Sequence, residues 1–479
     1  MSGISQLLET ARRALITQQF GIAVTGHNIA NAGTAGYSRQ RADLVATPPS
    51  QTYNGLLGTG VTVEGVTRLR NSFIDQQIRS SNNSLGSSTS DYQILSQVEA
   101  TFNEPSDSAL SGTLNKFFSA WQDLSTHPED SVTRNALMLQ GQNVSDSFHR
   151  LYNDTNSFRN SLRDDFSTKI DRINTLSQEI SDLNVTITAN SGAGENPSDM
   201  KDMLGTKIDE LSKLANITVS EGPNGTSLVS LGGTMIAGTG SALVLKIATG
   251  STATVSGSTF DQLRVTTELG GSTVNLTGGE AGSILKSYNT VIPDTLGRLN
   301  TLAGGIISAV NALHSAGYGE QQPPQSGINF FMGTDAASIN IDLTDPASAP
   351  GSNPNLANIA ASSSATASGD NSVALAIAGL QDKRSLVSGA GATMLDGLSI
   401  TEYYNRMVTN VGSAVNSADT LQQSQQSVIS QLTAQQDSVA GVSLDEEMTN
   451  LIEFQKSFEA AAKIVNTVSE MYDTIIQMV

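Results

Sequence analysis

The chain of 479 residues contains no cysteine. A disulfide framework is therefore excluded, and a zinc site would have to be built from carboxylates and isolated histidines, a poor match to known ligand spacings. The absence of cysteine fits a protein of a reducing compartment, and it fits equally a protein that leaves the cell without disulfide chemistry. Composition alone leaves both alternatives open.

Aromatic residues and positive charge are also scarce. Aromatics make up 5% of the chain, with Trp121 the single tryptophan, which favours thin helical packing over one large globular core. The formal net charge of −19 makes nucleic acid and anionic membranes poor partners. No apolar run reaches the ~18 residues that span a bilayer, so we expect no membrane insertion.

The beginning of the chain lacks the uninterrupted apolar segment of a cleaved secretory signal. Glu9, Arg12 and Arg13 interrupt the only apolar stretch near the N-terminus. This evidence by itself predicts a cytoplasmic protein.

Common catalytic and cofactor-binding motifs are missing as well. The sequence has no GxSxG elbow, no Walker A loop and no complete GxGxxG motif. Its histidines are scattered without helical pairing: His27, His127, His149 and His314. A catalytic role for the run Asp445, Glu446 and Glu447 is conceivable, but Ser443 precedes it and acidic residues favour the first turn of a helix, so we interpret it as helix N-terminal charge. We predict that the chain is not an enzyme and has no catalytic residue, metal site or cofactor.

What the sequence does contain is heptad periodicity at both ends. From residue 444 to the C-terminus an apolar side chain recurs every seven positions: Leu444, Leu451, Phe458, Val465, Tyr472 and Val479. A flanking row widens this stripe: Phe454, Ala461, Val468 and Ile475. A similar row opens the chain: Leu8, Leu15, Ile22 and Ile29. We predict two long terminal helices that pair as a coiled coil.

Two interpretations of these apolar rows carry equal weight on periodicity alone. The rows either form an intramolecular coiled coil without a further partner, or they form an assembly surface whose outer apolar side a neighbouring subunit covers. Long isolated helices are marginally stable in water. We therefore predict that the chain ends become ordered on assembly.

The remaining pattern predicts a mainly α fold with an inserted β domain. We place a terminal helical assembly domain at 1–66 and 431–479, a helical-bundle middle domain at 67–215 and 284–430, and a small outer β domain at 216–283. The β assignment depends on alternating apolar residues around Asn224 and Gly225, a strong hairpin signal.

The first helix is predicted to end in the segment HNIANAGTAGYSRQ, residues 27–40. Asn31, Gly33 and Gly36 tolerate the positive φ angles of a helix C-terminus followed by a tight turn. Tyr37 and Arg39 form either a recognition pair or part of a chain-reversal loop with one aromatic anchor. The sequence favours the loop.

Residues 28–40 resemble the signature that flagellar axial proteins of the rod, hook and hook-filament junction carry after their first helix. The C-terminal helix resembles its counterpart in the same family, and three interior segments, 114–144, 196–219 and 312–331, are similar to the hook-associated members. The resemblance marks an axial-protein motif at Asn28, Asn31, Gly36 and Tyr37. This chain differs from the family pattern in one place. Larger members carry an additional outer domain where this chain has a Ser/Ala/Pro/Asp-rich stretch.

The resemblance implies a structural protein of the bacterial flagellum, which replaces the cytoplasmic prediction. Such a protein is exported through the flagellar type III apparatus without a cleaved signal and assembles with copies of itself as a ring at the distal end of the hook. Its expected partners are the hook protein, the second hook-filament junction protein and a cytoplasmic export chaperone that holds the C-terminal helix. Alternatives are another axial subunit of rod or hook, or a secreted enzyme or adhesin on an axial scaffold with its activity in the β insert.

Overall fold

The computed structural model describes residues 2–52, 55–106, 108–193, 197–344, 354–367, 369–386 and 394–478. The predicted class, mainly α with long terminal helices and an inserted β region, is confirmed. The helices are α1 Ser2–Asn31, α2 Ser72–Phe102, α3 Leu110–Thr126, α4 Ser131–Gly192, α5 Ser198–Leu214, α6 Gly279–Lys286, α7 Ile292–His314, α8 Ser372–Ala378, α9 Ile400–Ala440 and α10 Leu444–Met478. Within the described ranges, no helix is both long and apolar enough to cross a membrane.

The strands are short and all pair antiparallel. They are β1 Gln40–Ala46, β2 Ser50–Thr52, β3 Gly55–Leu57, β4 Val61–Arg68, β5 Ile217–Glu221, β6 Ser227–Leu231, β7 Thr234–Ala237, β8 Leu245–Val255, β9 Ser258–Thr267, β10 Thr273–Val274, β11 Phe331–Met332 and β12 Asn340–Ile341.

The terminal region consists of α1, β1–β4 and α10. Helices α1 and α10 pack side by side and antiparallel, since the Ser5 and Tyr472 hydroxyls lie 3.0 Å apart near one end and Asn28 bonds Glu447 near the other. Strands β1 and β4 pair from Gln40 opposite Arg68 to Ala46 opposite Val61, and β2–β3 extend this hairpin. The hairpin lies against α1, where the buried Thr17 hydroxyl donates to the Val61 carbonyl at 3.2 Å.

The middle region consists of helices α2–α9 and contains the main apolar core. Helix α9 packs along α2, while α3, α4, α7 and α8 surround an aromatic cluster. Trp121, Phe117 and Phe330 are 0% exposed, and the Trp121 and Phe330 ring centroids lie 5.2 Å apart. Phe118 and Phe331 extend this cluster. The predicted domain boundary at 430/431 lies inside α9, which runs unbroken from Ile400 to Ala440.

Irregular structure interrupts the second middle segment between two long helices. Between α7 and α9 the described chain forms the short helix α8, the pair β11–β12 and the 3₁₀ turns Leu356–Asn358 and Leu395–Gly397. This stretch is rich in Ser, Ala, Pro and Gly and has few apolar residues at helical spacing, so packing against the aromatic cluster determines its course instead.

The inserted strands form two three-stranded sheets, in the orders β5-β6-β7 and β10-β9-β8. The predicted hairpin turn is present, with φ of 59° at Asn224 and 77° at Gly225. Helix α4 holds the first sheet through Asn184, which donates to the carbonyls of Ser227 at 2.7 Å and Gly238 at 3.0 Å. Buried residues of β6 belong to the same apolar cluster as the helices, so the insert shares its core with the middle region.

Candidate assembly interface

The predicted apolar row of α10 lies along the edge of its contact with α1. The most buried apolar side chains of α10 come from the flanking row: Val468 is 0% exposed and Ala461 is 5% exposed. Phe454 and Ile475 of that row, and Leu451, Val465 and Tyr472 of the predicted row, are half-buried. Leu444 and Phe458 are exposed, and Val479 lies outside the described residues. A row spaced by seven drifts around a straight helix by about 20° per heptad, so periodicity alone does not identify the side that touches α1.

Helix α1 meets α10 through small and polar residues. Gly21 faces the Phe454 ring so closely that an added Cβ would lie 2.9 Å from its carbons. Ala11, Thr25 and Asn28 are each at most 3% exposed. The predicted α1 row has Leu8 exposed and the other three half-buried: Leu15, Ile22 and Ile29.

This arrangement leaves large apolar side chains on the outside of the helix pair. On α1 they are Leu7, Leu8, Ile16 and Phe20. On α10 they are Leu444, Met448, Ile452, Phe458, Ile464, Met471 and Ile476. Exposed apolar residues at this density are typical of an interaction surface.

Asn28 of the axial-protein motif organises the end of α1. Its side-chain amide donates to the Gln40 carbonyl at 2.8 Å and to Glu447 Oε2 at 3.0 Å. Its oxygen accepts from the Gln40 N–H at 3.0 Å and from the Tyr37 hydroxyl at 2.7 Å. Every donor and acceptor of this amide is used, and the residue is 1% exposed. We call Asn28, Tyr37, Arg39 and Glu447 the latch.

Arg39 attaches the start of α10 to the motif. Its Nε donates to Glu447 Oε1 and its Nη1 to Glu446 Oε2, both at 2.7 Å, and Glu447 is 2% exposed. Its main-chain N–H donates to the Ala440 carbonyl at 2.8 Å. Glu446 and Glu447 do lie in the first turn of α10, as interpreted from sequence, but that interpretation missed their pairing with Arg39. A charged pair 408 positions apart leaves no local signal in the sequence.

Tyr37 lies inside this network, as the loop interpretation of the motif requires. Burial, together with the carboxylates of Asp199, Asp202 and Glu447, raises the pKa of Tyr37 above its usual value. The phenol therefore stays protonated and donates to Asn28. His27 Nδ1 lies 3.1 Å from the same hydroxyl.

Gly36 and Asn31 shape the turn after α1. Gly36 has φ of +79°, and an added Cβ would lie 2.4 Å from the Thr206 hydroxyl of α5, so conformation and space both require glycine. Asn31, the last residue of α1, donates from its side chain to the His27 carbonyl at 3.0 Å.

Sequence reasoning missed a second polar cluster beside the latch. Asp202 of α5, 6% exposed, accepts from the Ser38 N–H at 3.0 Å and from the Ser38 hydroxyl at 2.7 Å. Arg68 and Arg70 lie within 3.4 Å of the same carboxylate. The available signal was Asp199 and Asp202 on the first turns of α5, which by themselves look like ordinary helix N-terminal charge.

These contacts are structural in character. Among the described residues, no group of three His, Asp or Glu side chains could hold a metal ion. The arrangement closes the α1–α10 pair at one end through buried polar contacts and leaves its outer side apolar.

Models of known protein families match three parts of the chain. Residues 8–37 match flagella basal body rod protein, residues 95–331 match the helical domain of flagellar hook-associated protein FlgK, and residues 436–478 match the C-terminal part of flagellar basal body rod FlgEFG proteins. The first match contains Asn28 and Tyr37 of the latch, and the last match contains Glu447.

Curated proteins are similar over nearly the whole chain. Flagellar hook-associated protein 1 of Bacillus subtilis is 30% identical, with 98% of this chain and 97% of that protein covered. The protein of the same name from Salmonella typhimurium is 24% identical, with 99% of this chain and 100% of that protein covered. That alignment runs over 559 positions, so the Salmonella protein carries residues that this chain lacks.

Solved structures that match this chain include one with a similar fold. It is the flagellar hook junction protein FlgK from Burkholderia pseudomallei, with a TM-score of 0.59 over 76% of this chain and all of that one, at 15% identity.

Proposed function

This chain belongs to the flagellar hook-associated protein 1 family, and from that premise we propose that it is a structural subunit of the bacterial flagellum that joins the hook to the filament through the second junction protein. Its relatives are structural flagellar proteins, and we propose that it likewise has no catalytic activity.

The observation that carries this proposal is the apolar outer side of the α1–α10 pair. Ile16 is 53% exposed on α1, and Ile452 and Ile476 are 54% and 70% exposed on α10. Removing such side chains from water favours association by about 25 cal/mol per Å² of apolar surface. We propose that neighbouring copies cover this side, in head-to-tail contacts that close into a ring.

An axial protein associates with other hook and filament components, and the specific partners are part of the proposal. They are the hook protein on one side, the second hook-filament junction protein on the other, and further copies within the ring. We also propose export through the flagellar apparatus without a cleaved signal. A cytoplasmic chaperone would hold α10 beforehand, using apolar residues that stay exposed in the folded chain, such as Leu444 and Phe458.

Deleting the gene tests the assigned position in the flagellum. We expect intact hooks without filaments, with flagellin lost to the medium, as measured by electron microscopy and by blotting of the culture supernatant. Loss of the hook itself would assign the chain to the rod or hook instead.

A double substitution tests the assembly surface. Leu451→Asp with Phe458→Asp puts two charges on the half-exposed edge of α10 and should abolish chaperone binding and filament formation, while the middle region keeps its cooperative thermal transition. The matched control is Gln455→Asp with Asn466→Asp, which adds the same charge at exposed polar positions of the same helix. Loss of the folded middle region in the first variant would mean that the stripe only packs within the monomer.

A further inference from the structure

The terminal and middle regions are connected by two short pieces of chain, residues 69–71 between β4 and α2 and residues 441–443 between α9 and α10. The extensive helix packing lies within each region, α1 with α10 and α2 with α9. Two short connections by themselves leave rotation between two such bodies possible. The side chains at the crossing therefore determine whether the regions keep one orientation.

The main chain of Arg39 lies between the two crossings. Its N–H donates to the Ala440 carbonyl at 2.8 Å, and its carbonyl accepts from the Leu69 N–H at 2.9 Å. These bonds join the chain just after the axial-protein motif to the end of α9 and to the segment that leads into α2. These two main-chain bonds do not connect the motif to the other helices of the middle region.

Helix α5 supplies the missing attachment through two carboxylates, the exposed Asp199, which accepts from Gln40 Nε2 at 2.7 Å, and the buried Asp202. Asp202 accepts from Ser38 in the motif at both oxygens, and its Oδ1 lies 3.2 Å from Arg68 Nε and 3.4 Å from Arg70 Nη1. Ser38 and Arg68 belong to the terminal region, Arg70 to the crossing and Asp202 to the middle region. The contacts of Asp202 come from three directions and are largely buried, so this carboxylate opposes rotation about either connection.

The carboxylate of Asp75 connects Arg70 to α2 and α9. Arg70 Nε donates to Asp75 Oδ2 at 2.8 Å, and Asp75 Oδ1 accepts from Gln436 at 2.7 Å. Arg70 thus links Asp202 to the α2–α9 pair. We call Ser38, Arg68, Arg70, Asp75 and Asp202 the joint.

We propose that Asp202 is a positioning residue, which fixes the direction in which the terminal region leaves the middle region. The matched families support this location, since residues 8–37 and 436–478 match rod-type models and residues 95–331 match a different one. The joint lies where these separately recognisable parts meet. Its consequence for assembly rests on the proposed function, because a ring requires every copy to present its helix pair at one angle. The fixed angle itself does not rest on it.

Pulsed electron spin resonance on the full chain measures that angle directly. The chain has no cysteine, so Glu64→Cys on β4 and Asn153→Cys on α4, both exposed, accept spin labels at two known positions. We expect one narrow distance distribution in the parent and a distribution at least twofold wider in Asp202→Ala. Asp202→Asn keeps an acceptor oxygen and should fall between them, and Ser38→Ala should widen it least. Asp171→Asn, at an exposed carboxylate of α4, is the matched control and should equal the parent.

A purely structural role would lower the thermal midpoint of the middle region without widening the distance, so both are measured on each variant. An unchanged width in Asp202→Ala overturns the proposal, as does a parent already as wide as that variant. If Asp202→Ala loses its cooperative transition, the test uses Asp202→Asn and Ser38→Ala instead. Distance distributions as narrow as the parent's in both of these variants overturn the proposal. None of these readouts requires a flagellum, so failure of the joint and failure of the junction role are distinguishable.

Discussion

The α1–α10 pair and the middle region are both built from long helices, yet their interiors differ. The middle region buries Trp121, Phe117 and Phe330 completely, whereas the terminal pair meets through Gly21, Ala461 and Val468 and keeps its larger apolar residues at the edge or outside. Large buried rings stabilise a domain that folds alone. A helix pair that meets through small residues and keeps larger apolar residues outside is suited to being covered by other molecules.

The largest expected effect is at Trp121. Trp121→Ala removes a side chain that is 0% exposed and should lower the free energy of unfolding of the middle region by about 3–5 kcal/mol. Phe458→Ala, at an exposed aromatic of α10, should change it by less than about 1 kcal/mol. Urea denaturation followed by circular dichroism measures both. Equal losses of unfolding free energy in the two variants would contradict the difference between the two interiors.

Acid should destabilise the middle region through His314. Burial lowers the pKa of His314 to about 4, and Ala360 N–H donates to its Nε2 at 2.9 Å, so the folded state holds the neutral ring. Because the folded pKa lies below the unfolded value, this contribution is complete above pH ~6.5 and is lost as pH falls toward 4, a change of roughly 3 kcal/mol. Urea midpoints between pH 7 and 4 should fall more steeply in the parent than in His314→Gln. Parallel slopes would contradict this assignment.

The latch should have a smaller, local effect. Asn28→Ala leaves the main-chain groups of Gln40 without this partner and removes one donor to Glu447, which should cost about 1–3 kcal/mol. Hydrogen exchange of amides 444–450 should accelerate accordingly, while exchange in the aromatic core stays unchanged. Asn466→Ala, at an exposed position of α10, serves as the control. Faster exchange throughout the chain would show that the latch supports the middle region too.

We expect the smallest free energy of local opening at the end of the α1–α10 pair that lies away from the latch. There the side chains of Ser5 and Tyr472 meet at an exposed contact. Local opening there should cost close to zero. Trypsin should therefore cut the monomer first at Arg12, Arg13 and Lys463, which lie nearer that end, and only later at Arg39 inside the latch. Mass spectrometry of timed digests identifies the order. Ends that resist trypsin as long as the middle region would refute the prediction that they become ordered on assembly.

The sequence by itself determined the class of fold, the two terminal helices and the β insert, because apolar periodicity and turn residues are local properties of the chain. It also marked Asn28, Gly36 and Tyr37 through their resemblance to a family signature. Tertiary structure alone decided that Ala461 and Val468 face α1, because periodicity reports which residues are apolar but not which neighbour they meet. It also decided that Arg39 pairs with Glu447 and that Asp202 holds Ser38, since pairs 408 and 164 positions apart exist only once the chain has folded.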